Sequence, residues 1–260
     1  MTPTSARDVR TFADLDALSN AAADEIVAIA RESVAARGRF TIALSGGNTP
    51  RRTYELLATR HRDAIDWART DIVFGDERFV PPDDSRSNYR MAREALLAHV
   101  PVRAERVHQV PIVARVYNAA AAYDLTLEQL VAGSTTRSAS DVPLASTIDL
   151  ALLGVGPDGH TASLFPGSPA VGERKRYALA VDAPTTVQPA VPRITTTLPF
   201  LNGARIAMFL VAGADKRPVI GQILAGGDSA LRYPAALIAA RERTLWMVEQ
   251  SAMPDDGSNA

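Results

Sequence analysis

The chain has 260 residues, 47% of them hydrophobic and 22% charged, which is enough apolar material for one large α/β domain and too much charge for a membrane protein. Its 28 Lys and Arg balance 29 Asp and Glu for a net charge of −1, with no long block of either sign, so a nonspecific nucleic-acid partner is not expected. It has no cysteine, which removes disulfides, thiolate nucleophiles and Cys-ligated metals, and no apolar run reaches the roughly 18 residues of a spanning helix. With no apolar signal core at the N-terminus, the expectation is a soluble and most simply cytoplasmic protein.

The first predicted element is a helix. Leu15, Leu18, Ala22, Ile26 and Ile29 recur at helical spacing, Thr11 or Asp14 caps the start, and Gly38 ends it. A buried strand over Phe40–Leu44 runs into Ser45-Gly46-Gly47-Asn48-Thr49-Pro50, with a helix from about Arg51. Asp71–Phe74 reads as a strand, Ser87 caps a helix over Asn88–His99, and a weaker strand around Val107–Val110 precedes a helix over about Tyr117–Val131. A polar stretch from Gly133 to Asp141 reads as a surface loop. Ile148–Val155 is the most continuous apolar run, and further strands are expected at Tyr177–Val181, Arg193–Thr197, Arg205–Val211 and Thr244–Val248, with a helix from Lys216 to about Leu224. The residues from about 251 to 260 read as a flexible tail. Strands alternating with helices through Gly-bearing turns predict an α/β fold with a mostly parallel sheet and helices on both faces. No composition break divides the chain, so one domain is expected. Ligands of such sheets bind beyond the carboxyl ends of the strands.

Three clusters fall at such ends. In Ser45-Gly46-Gly47-Asn48-Thr49 the paired glycines leave backbone N–H groups uncovered and the next helix adds its positive end, a natural anion site. It is neither a Walker A loop nor a dinucleotide fingerprint, and an ordinary tight turn before Pro50 would look the same. Directly after the Asp71–Phe74 strand stand Asp76, Glu77 and Arg78; Arg78 suits a phosphate or carboxylate, and Asp76 suits sugar hydroxyls or the orienting of other side chains. Asn88 follows the capping Ser87, its amide suited to a ligand or to the opposing loop. The third cluster runs Gly154-Val155-Gly156-Pro157-Asp158-Gly159-His160-Thr161-Ala162-Ser163-Leu164-Phe165-Pro166. It places His160 after a central strand with Asp158 two residues away, spacing that permits a carboxylate to fix the imidazole tautomer as a general base requires. Arg193 and Lys216 are further cations for an anionic ligand. His61 and His99 fall at helix ends and His108 in the weak strand. No metal-ligand spacing and no Gly-x-Ser-x-Gly element occur, so neither a metal, nor a cofactor, nor a serine nucleophile is expected.

Together these clusters, with Leu44, Ser87-Asn88-Tyr89, Pro192-Arg193-Ile194-Thr195, Lys216 and Gly226-Gly227-Asp228-Ser229, give a chain that resembles the 6-phosphogluconolactonase family, within the wider group whose sugar-phosphate isomerases and deaminases share a modified Rossmann-like fold. The matching pieces run in order from Ser45 to Ser229. Two departures stand out: Asn48 where Ser is commoner, and Arg232-Tyr233 inside Leu231-Arg232-Tyr233-Pro234-Ala235, where the family often has Leu-Pro-Ala. The resemblance implies hydrolysis of a phosphorylated sugar lactone, 6-phospho-D-glucono-1,5-lactone, in the oxidative pentose phosphate pathway. It casts His160 as base, Asp158 as its partner, and Ser45–Thr49, Asp76, Arg78, Asn88, Gly159, Arg193 and Lys216 as substrate-binding residues. A related deaminase or isomerase is the nearest alternative, but His160-Thr161-Ala162-Ser163-Leu164-Phe165-Pro166 lacks the acidic residue that deaminases carry in this block. A non-catalytic sugar-phosphate sensor is the alternative of another class.

Overall fold

The computed structural model describes residues 8–133 and 148–254, and its first element is one that the hydrophobic pattern does not reveal. β1 (Asp8–Phe12) is a mostly exposed edge strand that pairs only with the last strand, so its alternation carries no buried face. α1 (Leu15–Arg37) starts where the Asp14 carboxylate accepts the Ala17 N–H at 2.8 Å. It stops at Gly38, whose φ of +77° suits glycine and lets its N–H reach the Val34 carbonyl. β2 (Phe40–Leu44), α2 (Thr49–Ala58) and β3 (Thr70–Phe74) follow, then β4 (Asp76–Arg78), α3 (Asn88–Ala92) with a π-type turn over Arg93–Leu97, and α4 (Val116–Gly133). The second half holds β5 (Leu150–Leu153), β6 (Ala178–Val181), β7 (Arg193–Thr196), α5 (Leu198–Asn202), β8 (Ile206–Val211), α6 (Arg217–Ala225) and β9 (Arg243–Glu249).

Six strands form a wholly parallel sheet in the order β1-β9-β8-β5-β2-β3. Every residue of β2, β3, β5 and β8 is buried. Because successive side chains point to opposite faces, unbroken burial means that both faces are covered, as the α/β expectation requires. The chain passes from β2 to β3 at one edge and returns on the other side of β2 as β5. The loops after β2 and β5 therefore leave neighbouring strands in different directions and open a crevice between them, where such sheets hold ligands.

A second sheet, order β4-β7-β6 and antiparallel, lies outside the parallel-sheet expectation. Gly75 makes the transfer between the two sheets. Its N–H donates to Leu44 of β2 at 2.9 Å, while its carbonyl accepts from the N–H and hydroxyl of Thr196 at 2.8 and 2.7 Å. The run Asp76–Arg78 thus continues as a strand rather than a loop. Two buried tyrosines hold the strand ends at this junction. Tyr54 of α2 accepts the Ser45 N–H and donates to its carbonyl, and Tyr123 of α4 treats Phe74 the same way at 2.7 and 2.9 Å.

Other expectations need correction. Val107–Val110 makes only one bridge, Ile72 to Val107, plus the His108 N–H bond to the Ile72 carbonyl; Arg106 and His108 are drawn instead to Asp71, and Pro111 offers no donor. The helix at Asn88 keeps α geometry only to Ala92. At the C-terminal end, Gln250–Ala252 forms a tight turn with Ala252 buried, held by the Arg217 guanidinium on the Ser251 carbonyl; residues 255–260 lie outside the described residues. So does most of the Gly133–Asp141 stretch. No helix among the described residues is long and apolar enough to cross a membrane.

The Tyr123 clasp sets a stability expectation. Tyr123→Phe leaves the buried N–H and carbonyl of Phe74 without their phenol partner, at a cost of about 1–3 kcal/mol. Urea unfolding at neutral pH should show a lowered midpoint with an unchanged slope; an unchanged midpoint would mean that water replaces the phenol.

Candidate active site

The crevice has a volume of about 310 Å³, and Gly46, Arg78 and His160 all line it, so the three clusters meet at one place. Ser45, Gly47, Asn48, Thr49, Asp76, Arg193 and Lys216 line it as well. Asn88, Asp158 and Gly159 are not on its wall. They sit behind residues that are.

The wall after β2 is the Gly-rich loop. Gly47 has a φ of +89°, a conformation that favours glycine. Gly46 is required by contact: a Cβ there would fall 1.9 Å from Asn88 Oδ1. α2 begins directly after the loop, with Pro50 in its first turn and no acidic side chain there to neutralise its positive end.

Opposite lies the β4 and β7 pair. Arg78 and Arg193 are cross-strand partners, so their side chains leave the same face of the small sheet. Such like-charge neighbours oppose folding unless other groups offset them. Arg78 donates to the Arg86 carbonyl at 2.7 Å, and Arg193, its side chain 3% exposed, donates to the Pro189 carbonyl at 3.2 Å and to Ser163 Oγ at 3.4 Å. Burial pulls the Arg193 guanidinium down from its usual value, Asp76 opposes that, and Arg78 adds to it. The Nε atoms of both arginines are buried donors without a partner among the described residues. Lys216 stands on a third side, its Nζ 3.5 Å from Asp215.

Among the described residues, Asp76 is the only acidic one on the wall, and both its oxygens are engaged. Oδ1 accepts Asn88 Nδ2 at 3.0 Å and Oδ2 accepts Ser163 Oγ at 2.6 Å. Asn88, 2% exposed, also donates to the Asp76 carbonyl, so its amide N–H groups are spent on β4 rather than on the opposing loop. Glu77 is a residue the sequence singles out without a role. Its buried carboxylate accepts the backbone N–H groups of Arg78, Asn88 and Tyr89 at 2.7 Å each and the Ser87 hydroxyl at 3.1 Å. Burial pushes the Glu77 carboxyl up against the pull of those N–H donors. It fastens β4 to α3 from below.

The loop after β5 carries the imidazole. His160 Nδ1 lies 2.6 Å from Asp158 Oδ1, which also accepts the His160 backbone N–H at 3.1 Å. Burial alone would raise the Asp158 carboxyl, but the hydrogen bond and charge of His160 hold it below the ordinary range. An ionised carboxylate only accepts, so Nδ1 carries the proton and the lone pair of the neutral ring falls on Nε2. Gly156 makes room for the ring: a Cβ there would sit 2.1 Å from His160 Nδ1 and Cε1. Phe165 packs against the imidazole with ring centroids 4.9 Å apart, and the Arg193 guanidinium lies 5.6 Å from the centre of the same phenyl ring. Ala162, also on the wall, has a φ of +49°, a strained value for a residue with a Cβ. Among the described residues, no group of three or more His, Cys, Asp or Glu is placed to hold a metal ion.

Sequence reasoning missed Tyr54, Ser163 and Glu77 as supports. Ser163 lies inside the quoted His160 block, yet only the packing of β7 beside it shows that it faces Asp76.

The profile of the family described as glucosamine-6-phosphate isomerases/6-phosphogluconolactonase matches residues 13–246. A 6-phosphogluconolactonase of Synechocystis is 40% identical over 223 residues, covering 85% of this chain and 86% of the relative. One of Nostoc is 36% identical over 246 residues, covering 95% and 97%. The crystal structure of 6-phosphogluconolactonase from Leishmania guyanensis superposes with a TM-score of 0.81 over 98% of this chain and all of that one, at 26% identity. With a profile match over most of its length and relatives this similar along nearly their whole chains, the protein belongs to the glucosamine-6-phosphate isomerase/6-phosphogluconolactonase family.

Proposed function

We propose that this protein hydrolyses 6-phospho-D-glucono-1,5-lactone to 6-phosphogluconate, with His160 as the base that activates water. The observation that carries this reading is the meeting, in one crevice, of an imidazole oriented through Nδ1 with three cations, Arg78, Arg193 and Lys216. The names of the relatives agree with it.

The phosphate goes to the cations, the Ser45–Thr49 loop and the positive end of α2. The phosphate brings negative charge beside Arg78 and Arg193 and so offsets their repulsion. Holding the phosphate places the ring carbonyl beside His160 and turns remote binding into orientation at C1. His160 Nε2 takes a proton from water as its oxygen attacks C1. The tetrahedral adduct then expels the ring oxygen, which takes that proton from the imidazolium, leaving a carboxylic acid and a free hydroxyl. Asp158 steadies the cationic ring meanwhile. A δ-lactone is an activated ester, so this route needs neither a covalent intermediate nor a metal. Asp76, with both oxygens engaged, acts here as a support for Arg193 and Ser163 more than as an acceptor for sugar hydroxyls.

His160→Gln keeps polarity and reach but is no base near neutral pH. Lactone hydrolysis, corrected for the spontaneous reaction, should fall roughly a hundredfold or more. Calorimetry should show 6-phosphogluconate still bound; a folded variant with near-parent turnover would contradict the base assignment.

Against the pull of burial, the hydrogen bond and charge of His160 hold the Asp158 carboxyl below the ordinary range, so it stays ionised across a neutral assay range and keeps Nδ1 oriented there. Asp158→Asn, which removes that charge, should lower kcat across the same range with 6-phosphogluconate still bound; parent-like kcat would contradict the orienting role.

Arg78→Ala and Lys216→Ala should each cost about 1.5–3 kcal/mol of productive binding, read in kcat/KM for the phosphorylated lactone. The unphosphorylated lactone should be a poor substrate whose turnover barely responds. Equal losses on both lactones would place these residues at the carbonyl or in the folding of the crevice.

A further inference from the structure

Tyr233, in the Arg232-Tyr233 pair before Pro234, packs directly on the loop that carries Asp158 and His160. Gly159, between them, is buried while Pro157 and Asp158 are exposed. It is buried by Tyr233: a Cβ on Gly159 would fall 2.4 Å from Tyr233 Cδ1, 2.8 Å from Cγ and 2.9 Å from Cβ. The aromatic ring thus lies flush on the glycine. The next turn adds a backbone bond, from the Ala235 N–H to the Gly159 carbonyl at 3.1 Å. From inside, the loop is closed by the Gly159 N–H on the Gly156 carbonyl and the Gly156 N–H on the His160 carbonyl, both at 2.9 Å. Those two bonds shape the loop but tie it only to itself.

The ring is in turn held from outside. Its hydroxyl donates to Gln222 Oε1 of α6 at 2.5 Å and accepts from Arg232 Nη2 at 2.7 Å, and Arg232 also binds Gln222. The Arg232 guanidinium lies 4.8 Å from the centre of the Tyr233 ring, so cation and ring fix each other. None of these three side chains lines the crevice. Their arrangement serves the loop, not a ligand.

We propose that Tyr233, clamped by Gln222 and Arg232, is a positioning residue that fixes the Gly159 turn and thereby the aim of His160. The proposal rests on the reading of His160 as the base. With the ring gone, the turn at Gly159, φ +81°, is held by its backbone hydrogen bonds alone, and the Asp158–His160 pair moves with it. Misplacing a base by about 1 Å costs up to roughly a hundredfold in turnover, whereas the phosphate is held elsewhere and its binding is untouched.

The test compares Tyr233→Ala and Tyr233→Phe in the parent and in the His160→Gln protein, all assayed with the phosphorylated lactone. Tyr233→Ala should lower kcat roughly tenfold or more with KM within about twofold of the parent, and Tyr233→Phe, which keeps the ring, should retain most of the rate. In the His160→Gln background, Tyr233→Ala should cost nothing further, because a residue that acts through His160 has nothing left to position. Proton NMR adds a readout independent of turnover: the downfield Nδ1 proton of the Asp158–His160 bond, visible in the parent and in Tyr233→Phe, should broaden or vanish in Tyr233→Ala. Parent-like kcat and an intact Nδ1 signal in Tyr233→Ala would overturn the proposal, as would an equal fold loss in both backgrounds. Should His160→Gln itself turn over like the parent, the base assignment fails, and the NMR comparison alone then shows whether Tyr233 holds the imidazole.

Discussion

A single buried carboxylate ties the crevice together. Asp76 lies in low dielectric, where an unpaired charge is strongly disfavoured, and so its oxygens must find donors. It takes one from Asn88, which sits beneath Gly46 and so reaches the loop after β2. It takes the other from Ser163, three residues beyond His160 on the chain that follows β5, and Ser163 passes the contact on to Arg193 of β7. The loops after β2 and β5 and the strand β7 are thus referred to one pair of oxygen atoms. Glu77 performs the matching task one residue later and on the other face of β4, gathering the backbone at the start of α3. The ends of β2 and β3, each clasped by a buried tyrosine, keep this frame in register with the parallel sheet beneath.

Within that frame the placement of charge works against stability. Two arginines stand side by side across β4 and β7, each with a buried Nε donor unmatched among the described residues, and the carboxylate beside them, Asp76 at 3.9 Å from Arg193, is shared with Asn88 and Ser163. A chain under selection for stability alone would not assemble them so. Ala162, with its left-handed backbone on the same wall, is a second local cost. Both features suit a site that is completed by an anion, which is the role proposed for the phosphate of the lactone.

The sequence makes one layer of this legible. Apolar runs that end in Gly-rich or charged loops locate the carboxyl ends of β2, β3 and β5, and the parallel-sheet rule then brings Gly46, Arg78 and His160 to one crevice. The capping of α1 by Asp14 and Gly38 and of α3 by Ser87 is local chemistry and reads directly from residue type. What could not be read depends on pairing between distant segments. The antiparallel sheet hangs on Gly75 reaching Thr196, and with it comes the Arg78–Arg193 adjacency that no spacing along the chain encodes. Asn88 looks like a ligand contact until the fold turns its amide toward Asp76. β1 escapes because an exposed edge strand has no apolar face to betray it.

The central claim is that one crevice holds a phosphate at its cations and a sugar carbon at His160. A crystal structure with 6-phosphogluconate bound measures this most directly. The phosphate should lie among Arg78, Arg193, Lys216 and the Ser45–Thr49 loop, with the C1 carboxylate within roughly 2.6–3.2 Å of His160 Nε2, directly or through one water. A product bound with its phosphate at His160 and its carboxylate among the cations, or bound outside the crevice, would contradict it.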